Sequence, residues 1–364
     1  MNSRKRLLYI IHDINIGGVE VAFLSSLPAL NKTFDLRVIV LGKITPGLEA
    51  TISEEDRACL YSFDYALWLL PACLYRVLSF ALKFRPEILI CSLWRSSLMG
   101  TFIKRFMPRT HFISFIHNTF FFHKLDAFFT KSAIRAADSI FVDAISTADF
   151  VKNIHQVEAP VCVISFLKTS TGSYQRKSPV FAQEVKFLSL SRINKVKNIP
   201  AAVELIHMLR QQGINARFDI YGRDDGDIEN VQNTIGRLQL QDVVHIKGEV
   251  RPDLANKLFE QYDFFLQLSV VEGMAMSVAE AMQNGLVCIV TPVGEIKNYS
   301  RDMESAIWAD VADGKSMQAV VSKVMKVIAD TGLYSQISEN SHAKFENALE
   351  YKSSLISNIT KRIP

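Results

Sequence analysis

The sequence predicts an α/β fold in two domains, each wound around a parallel sheet. Three observations lead there. Apolar runs of strand length alternate with helix-like segments from end to end, the pattern of parallel strands joined by right-handed crossovers. The 364 residues exceed what one ordinary core holds and suit two domains. A polar stretch, Lys168-Thr-Ser-Thr-Gly-Ser-Tyr-Gln-Arg-Lys-Ser-Pro179, interrupts the alternation near the midpoint and reads as a linker. The expected boundaries are 1–167, a linker over 168–183, and 184–349.

Composition narrows the class. Hydrophobic residues make up 49% and charged residues 21%, which excludes a mainly disordered chain. Cys59, Cys73, Cys91, Cys162 and Cys288 lie mostly in apolar runs without a Cys-x-x-Cys pair, the usage of buried reduced thiols in a cytoplasmic protein. Arg4-Lys5-Arg6 leads into a short strand-like run and a glycine turn, so no signal peptide is apparent. Residues 1–165 hold 18 Lys+Arg against 14 Asp+Glu, whereas the remainder is balanced at 23 and 23. A basic first half suits an anionic membrane surface or an anionic acceptor, and chance also explains four charges. Neither zinc spacing nor a basic reading helix points to nucleic acid.

In the first domain, Leu7 to His12 and Leu36 to Leu41 read as buried strands. Between them Asn15-Ile-Gly17-Gly18-Val-Glu20 is a glycine turn opening into a helix, where main-chain amides can meet a phosphate or hydroxyl. Tyr65 to Leu82 approaches membrane-spanning length, but Pro71 and Arg76 are unfavourable in a spanning helix and favour a buried or membrane-facing one. Ile88 to Ser92 is a strand with Trp94, Arg95 and Ser96 at its exit, where parallel strands present ligand loops. Phe112 to Ile116 is another, ending at His117. Phe120 to Phe129 holds five phenylalanines that either bind lipid or pack under a loop. Ile140 to Val142 and Val161 to Phe166 complete the sheet.

In the second domain, Val185 to Leu190 leads to a loop with Arg192 and Lys197, two cations placed to clamp a pyrophosphate; as loop cations they should contribute little to stability. Ala216 to Tyr221 is a strand, and Asp225-Gly-Asp227 after it either starts a helix, where negative charge is favoured, or spells an acidic metal motif; the helix start is preferred. Val243 to Ile246 precedes Val250 and Pro252, with Pro252 suited to a first helical turn. Tyr262 to Leu268 is a strand broken by Glu272-Gly273; Ser277 can cap the next helix, with Glu280 three residues later as in a capping box. Gly285 ends that helix and Leu286 to Val290 is a strand. Pro292-Val-Gly294-Glu295 starts a helix, Ser305 to Trp308 is a last strand, and two amphipathic helices finish the chain.

Glu272 and Glu280, with seven residues between them and followed by Ala-Met-x-x-Gly, resemble the glutamate-x7-glutamate signature of retaining glycosyltransferases of the GT4 family, the glycosyl transferases group 1. Arg192 and Lys197 match that family's Gly-Arg-x-x-x-x-Lys-Asn segment with Ser191 for the glycine, and Gly17-Gly18-Val-Glu20 its Gly-Gly-x-Glu turn. The resemblance covers most of the chain. It departs at Ser165-Phe-Leu-Lys, where an Asn-Gly-Val-Asp turn is usual, and at Ala275 and Ser277, where many members have Gly and Pro.

The resemblance implies the GT-B fold: two Rossmann-like domains facing each other across a cleft, with the final helix, about 350–364, returning to the first. It implies a nucleotide-diphosphate sugar, UDP- or GDP-linked, as substrate, with no metal and no further cofactor. Glu280 would take the ribose hydroxyls and Glu272 the transferred sugar, with amides from Gly273, Met274, Ala275 and Met276 reaching its hydroxyls. Ser277 opens the helix. Arg192 and Lys197 would stabilise the departing diphosphate, Val250 would contact the base, and His117 would face the sugar, unless it is a satisfied strand-end histidine. Gly17 and Gly18 would lie by the diphosphate. The acceptor would be a glycan or lipid-linked glycan of a surface polysaccharide or glycolipid, met at the inner face of the membrane. A non-catalytic sugar-nucleotide-binding subunit and a sugar-nucleotide epimerase of the same fold are the alternatives.

Overall fold

A computed structural model describes residues 4–14, 18–45, 49, 52–65, 69–121, 123–154, 157–167, 181, 184–251, 254–311 and 313–362. The chain divides into two compact units, Met1–Thr169 with Leu349–Pro364, and Ser170–Ala348. Of the expected linker, 168–183, only Phe181 is described; Gly17, Phe122 and Pro252 also lie outside the described residues.

The first unit is a parallel sheet of β1 (Arg6–Ile11), β2 (Asp35–Val40), β3 (Leu60–Ser62), β4 (Ile88–Ser92), β5 (His111–Ile116), β6 (Ser139–Val142) and β7 (Val161–Val163), in the order β3-β2-β1-β4-β5-β6-β7. Helix α1 (Gly18–Thr33) follows the glycine turn, and the short α2 (Glu54–Arg57) is capped by Ser53. One face of the sheet carries α3 (Leu70–Phe84), α4 (Trp94–Phe106), α5 (Lys124–Ala136) and α6 (Ile145–Lys152). Of the apolar run at Tyr65, Leu70 to Leu82 lies in α3, with Pro71 in the first turn where the missing N–H costs nothing. Among the described residues no helix is long and apolar enough to cross a membrane. Much of the phenylalanine-rich stretch is the start of α5, whose N-cap is His123. The strand expected over Val161 to Phe166 ends at Val163; Phe166 turns inward instead, packing on His117 and Tyr351.

The last helix, Tyr351–Lys361, belongs to this unit. Tyr351 N–H donates to the Leu167 carbonyl at 2.7 Å, and Ser165 N–H to Ser354 Oγ at 3.0 Å. Tyr9 packs on Phe23 of α1, and burial pushes the phenols of Tyr9 and Tyr351 well up.

The second unit is a parallel sheet in the order β10-β9-β8-β11-β12-β13. Its strands are β8 (Val185–Leu190), β9 (Ala216–Tyr221), β10 (Val244–Gly248), β11 (Phe264–Gln267), β12 (Val287–Val290) and β13 (Ile307–Trp308). The helices are α7 (Ile199–Gln211), α8 (Ile228–Arg237), α9 (Ala255–Phe259), α10 (Met276–Gln283), α11 (Ile296–Tyr299), α12 (Gly314–Ala329) and α13 (Thr331–Ala343). Three helices, not two, therefore follow β13: Asp330 ends α12 and caps α13 by accepting from Leu333 N–H at 3.0 Å. Chain direction across each sheet reverses beside the first strand, between β1 and β4 and between β8 and β11, and such switch points are where parallel sheets open a ligand crevice.

Phe264 lies at the centre of the second unit. It stacks on Phe187 at 5.1 Å and Phe181 at 5.8 Å, and Tyr334 meets it edge-on at 5.5 Å. Phe264→Ala should lower the stability of this unit by about 3–5 kcal/mol in urea unfolding, because the aromatic neighbours cannot collapse into the cavity. A loss below about 1 kcal/mol would show that the site repacks.

Candidate functional site

The adjacency of β8 and β11, fixed by pairing Phe187 with Phe264 and Leu188 with Phe265, brings together loops far apart in sequence. The loop after β8 forms a 3-10 turn over Lys195–Lys197, capped by Asn194 Oδ1, which accepts from Lys197 N–H at 3.2 Å. The loop after β11 lies against it: Val270 N–H donates to the Val196 carbonyl at 2.8 Å. Lys197 Nζ then donates to Glu272 Oε1 at 2.6 Å, with side chains only 17% and 8% exposed. Gln267 Nε2 donates to the same oxygen at 2.8 Å, and Ser277 Oγ donates to Gln267 Oε1 at 2.9 Å. Lysine, glutamate, glutamine and serine form one chain. Glu272 Oε2 has no partner among the described residues.

Ser277 is therefore not the helix cap, and Ser277 with Glu280 is not a capping box. Helix α10 starts one residue earlier, at Met276, and its N-cap is Ala275 in the left-handed region (φ 54°), with no side-chain cap. The left-handed turn leaves the N–H groups of Gly273, Met274 and Ala275 without an acceptor among the described residues. Neighbouring backbone pins the turn from behind. Glu295 N–H donates to the Gly273 carbonyl at 2.9 Å, and a Cβ on Gly294 would lie 2.2 Å from the Glu272 carbonyl oxygen. The hydroxyl of Tyr299, its phenol pushed well up by burial, donates to the Met274 carbonyl at 3.3 Å. Free amides at a helix start next to a part-buried carboxylate and ammonium suit a ligand with both hydroxyls and negative charge.

Residues 171–344 match the family model described as glycosyl transferases group 1. The second unit is a glycosyl transferases group 1 domain. The amylovoran biosynthesis glycosyltransferase AmsK of Erwinia amylovora is 25% identical over 155 residues, 41% of this chain and 38% of that protein. The GtfA subunit of the UDP-N-acetylglucosamine–peptide N-acetylglucosaminyltransferase of Streptococcus pneumoniae serotype 4 is 25% identical over 135 residues, 37% of this chain. The chain thus matches only a quarter to about two fifths of the length of these curated relatives. Anabaena Alr3699/HepE, solved in complex with UDP-glucose, has the same fold, with a TM-score of 0.80 at 15% identity over 98% of this chain and 99% of that one. The two parallel-sheet units are accordingly the Rossmann-like pair of the GT-B fold.

The other expected residues sit variously around this centre. Arg192 is not on Glu272. Its Nη1 lies 3.2 Å from Asp225 Oδ2, and Asn194 Nδ2 donates to the same carboxylate at 3.0 Å, so the Arg192 loop is fastened to the loop after β9. Asp225 serves that role, while Asp227 starts α8 as expected, being its N-cap residue; Asp224 Oδ1 accepts the N–H groups of Gly226, Asp227 and Ile228 and shapes the helix entry. Glu280 lies one turn beyond Ser277 on α10. Val250 is half-buried just past β10, and no hydrogen bond ties its backbone to the Glu272 cluster.

Gly18 and His117 belong to the first unit. Gly18 begins α1. His117 is buried: its side chain is 2% exposed, Nε2 lies 2.6 Å from Ser92 Oγ, and Nδ1 lies 3.8 Å from Asp143 Oδ2. With Trp94, Phe115 and Phe121 it lines a small cavity of about 210 Å³. His12, on the same cavity, is kept neutral near neutral pH: burial and then Arg95 lower it to about 4. Asn194, Gln267, Gly294 and Tyr299 escaped sequence reasoning. Gln267 alone left a signal, a polar residue inside an otherwise apolar strand.

Lys197, expected as a loop cation to contribute little to stability, is instead sheltered against Glu272. Lys197→Ala strands a nearly buried carboxylate and should lower the stability of the second unit by roughly 1–3 kcal/mol in urea unfolding. Arg192→Ala, at a pair with a 52% exposed arginine, should change it by less than about 0.5 kcal/mol. Equal losses in both would contradict the difference in burial. Ala275→Gly should raise stability by about 1 kcal/mol, seen as a higher melting temperature, because glycine takes the left-handed turn without a Cβ penalty. An unchanged or lower value would show the turn to be unstrained.

Proposed function

We propose that the chain is a retaining, metal-independent glycosyltransferase that moves a sugar from a UDP- or GDP-linked donor to a glycan or lipid-linked glycan, in surface polysaccharide or glycolipid assembly. The observation that carries the reading is the Lys197–Glu272–Gln267–Ser277 chain beside the free amides of Gly273 to Ala275. The family of the second unit, the role of AmsK in amylovoran biosynthesis and the UDP-glucose held by the HepE structure support it.

Each group has work to do in that reaction. Glu272 Oε1 is held by Lys197 and Gln267, so Oε2 is the atom offered to a hydroxyl of the donor sugar. The amides of Gly273 to Ala275 donate to further sugar hydroxyls. Glu280 takes the ribose hydroxyls, and Val250 offers backbone groups to the base. An ammonium has three donors, and Lys197 directs one at Glu272; the diphosphate takes another. Arg192, tethered by Asp225 yet half exposed, adds a planar fork for the diphosphate. As the bond from the anomeric carbon to the phosphate oxygen breaks, these cations and the α10 N-terminus meet the growing negative charge. The acceptor oxygen bonds the same carbon from the same face, and its proton passes to the leaving phosphate oxygen.

The test is a panel of nucleotide sugars with chelator present, reading transfer or slow hydrolysis and the configuration of the released sugar. The expected result is turnover with retention. Glu272→Gln keeps the hydrogen-bonding shape and should lower kcat by roughly 100-fold or more. An inverted product sinks the retaining assignment, and loss of activity on chelation sinks metal independence. A folded chain inert to every donor, whose melting temperature nevertheless rises with a nucleotide, is a binding subunit instead.

A further inference from the structure

Three neighbouring strands of the first sheet, β1, β4 and β5, lead directly into residues that wall one cavity: His12, Leu93 with Trp94, and His117 with Asn118. Chain direction reverses between β1 and β4, so this cavity of about 210 Å³ sits where a parallel sheet opens a ligand crevice. Five aromatic rings line it: Trp94, Phe115, Phe120, Phe121 and Phe150. Phe115 is buried and Phe120 is 41% exposed, so the cavity runs from the interior to the surface. Leu93 is strained. Its φ of 73° and ψ of 164° belong to a region that glycine alone takes readily. The turn is held by its carbonyl, which accepts from Ser97 N–H at 3.0 Å and from the hydroxyls of Ser96 at 2.7 Å and Ser97 at 3.0 Å. Backbone strain fixed in this way concentrates at binding sites.

The wall carries few polar groups, and most are already engaged. No lysine or arginine lines the cavity among the described residues. His12 is uncharged near neutral pH, and its Nε2 accepts from Arg95 Nη1 at 2.9 Å. Asp126, buried on α5, accepts from the Thr130 hydroxyl at 3.0 Å. Ser97 and Thr130 thus direct their hydroxyl protons at protein acceptors, and His117 Nε2 is matched with Ser92. Asn118, by contrast, is half-buried on the wall and makes no side-chain hydrogen bond among the described residues. It presents a carbonyl acceptor and an NH₂ donor side by side.

We propose that this cavity takes the acetamido group of an N-acetylated hexosamine in the acceptor, with the methyl among the aromatic rings and the amide against Asn118. That the guest is an acceptor rests on the proposed transfer reaction; the chemistry of the guest rests on the wall. The volume lies between the roughly 150 Å³ of a cavity that binds benzene and the roughly 300 Å³ where sites for drug-sized ligands begin, so it holds one substituent and the edge of its ring. A phosphate or carboxylate would meet Asp126 and no cation. An unsubstituted hexose would bring hydroxyls where those of Ser97 and Thr130 already serve the protein, and an unmatched buried hydroxyl is costly. An ammonium would face Lys131, whose Nζ already lies 5.3 Å from the Phe121 ring centre. An acetamide needs one donor and one acceptor, and Asn118 has both.

The test is saturation-transfer NMR on the full chain without a donor. The probes are the methyl glycosides of N-acetylglucosamine and N-acetylgalactosamine beside those of glucose, galactose and glucosamine. At least one N-acetyl glycoside should bind about tenfold tighter than its hydroxyl parent, with the strongest saturation on its acetyl methyl. Asn118→Ala should lower that preference roughly fivefold at an unchanged melting temperature, because the side chain bonds to nothing in the fold. Phe120→Ala, at the exposed mouth, should weaken the saturation of the methyl. Equal binding of N-acetyl and hydroxyl glycosides overturns the proposal, as does tightest binding by the glucosamine glycoside or full preference in folded Asn118→Ala. Turnover does not enter the readout. A chain that binds the N-acetyl glycosides but transfers nothing loses the catalytic reading and keeps this one. A chain that transfers sugar equally well to glucosides and N-acetylglucosaminides loses this one alone.

Discussion

The contact between the Lys197 ammonium and the Glu272 carboxylate organises the second unit's site. The two residues are 75 positions apart, and only a parallel sheet in which β8 neighbours β11 puts their loops side by side. A charge pair this sheltered is stabilising only if its geometry is good and its remaining polar atoms are satisfied. Gln267 meets the condition for one carboxylate oxygen by donating to Glu272 Oε1, and Asn194 fixes the geometry by holding the Lys197 backbone, whereas Oε2 stays open. Between them the loops lose most of their freedom. The Val196 carbonyl and Val270 N–H bond removes more of it. The result is a carboxylate fixed on one oxygen and open on the other, an arrangement that follows from packing before any ligand is considered.

The turn that follows Glu272 shows where the fold accepts strain. Ala275 occupies a left-handed conformation that costs an L-residue about 1 kcal/mol or more. Nothing in the helix start compensates with a side-chain cap. The turn persists because it is held from outside: by Glu295 on the Gly273 carbonyl, by Tyr299 on Met274, and by Gly294, whose missing Cβ lets the two backbones touch. Three amides thereby have no acceptor among the described residues. Backbone strain held by its surroundings and unsatisfied donors at the same turn mark a binding site more strongly than either does alone.

Much of this was legible in the sequence, and the misses have physical causes. The runs Val185 to Leu190 and Ala216 to Tyr221 match β8 and β9 to the residue, because apolar residues at alternating positions, Val185 and Phe187 in one and Ala216, Phe218 and Ile220 in the other, mark a buried strand face. The edge strand β3 left no such run and went unseen: Leu60-Tyr61-Ser62 is partly exposed and three residues long. Serine at position 277 followed by glutamate at 280 spells a capping box, yet the backbone reverses at Ala275 and makes the serine helical. That choice depends on Gly294 and Tyr299, about twenty positions later, which no local rule weighs. Arg192 and Lys197 look alike in sequence, but one is half exposed and the other sheltered by Glu272. Burial separates them, and burial is a property of the assembled sheet.

The two faces of the first unit's sheet make a contrast that spacing could not have shown. On one side α1 and the last helix close over Tyr9, Phe23, Phe166 and Tyr351, leaving a sealed aromatic core. On the other, α3, α4 and α5 bury Cys73, Val77, Ala81, Met99 and Ile103 inward while placing unpaired cations and large apolar groups outward. A free-standing surface gains by interspersing both signs of charge and hiding its phenylalanines, because like charges repel and exposed rings attract other chains. The inward halves of these helices obey that economy of folding. Their outward halves do not, and departures from local consistency concentrate where a surface is shaped by something other than its own stability.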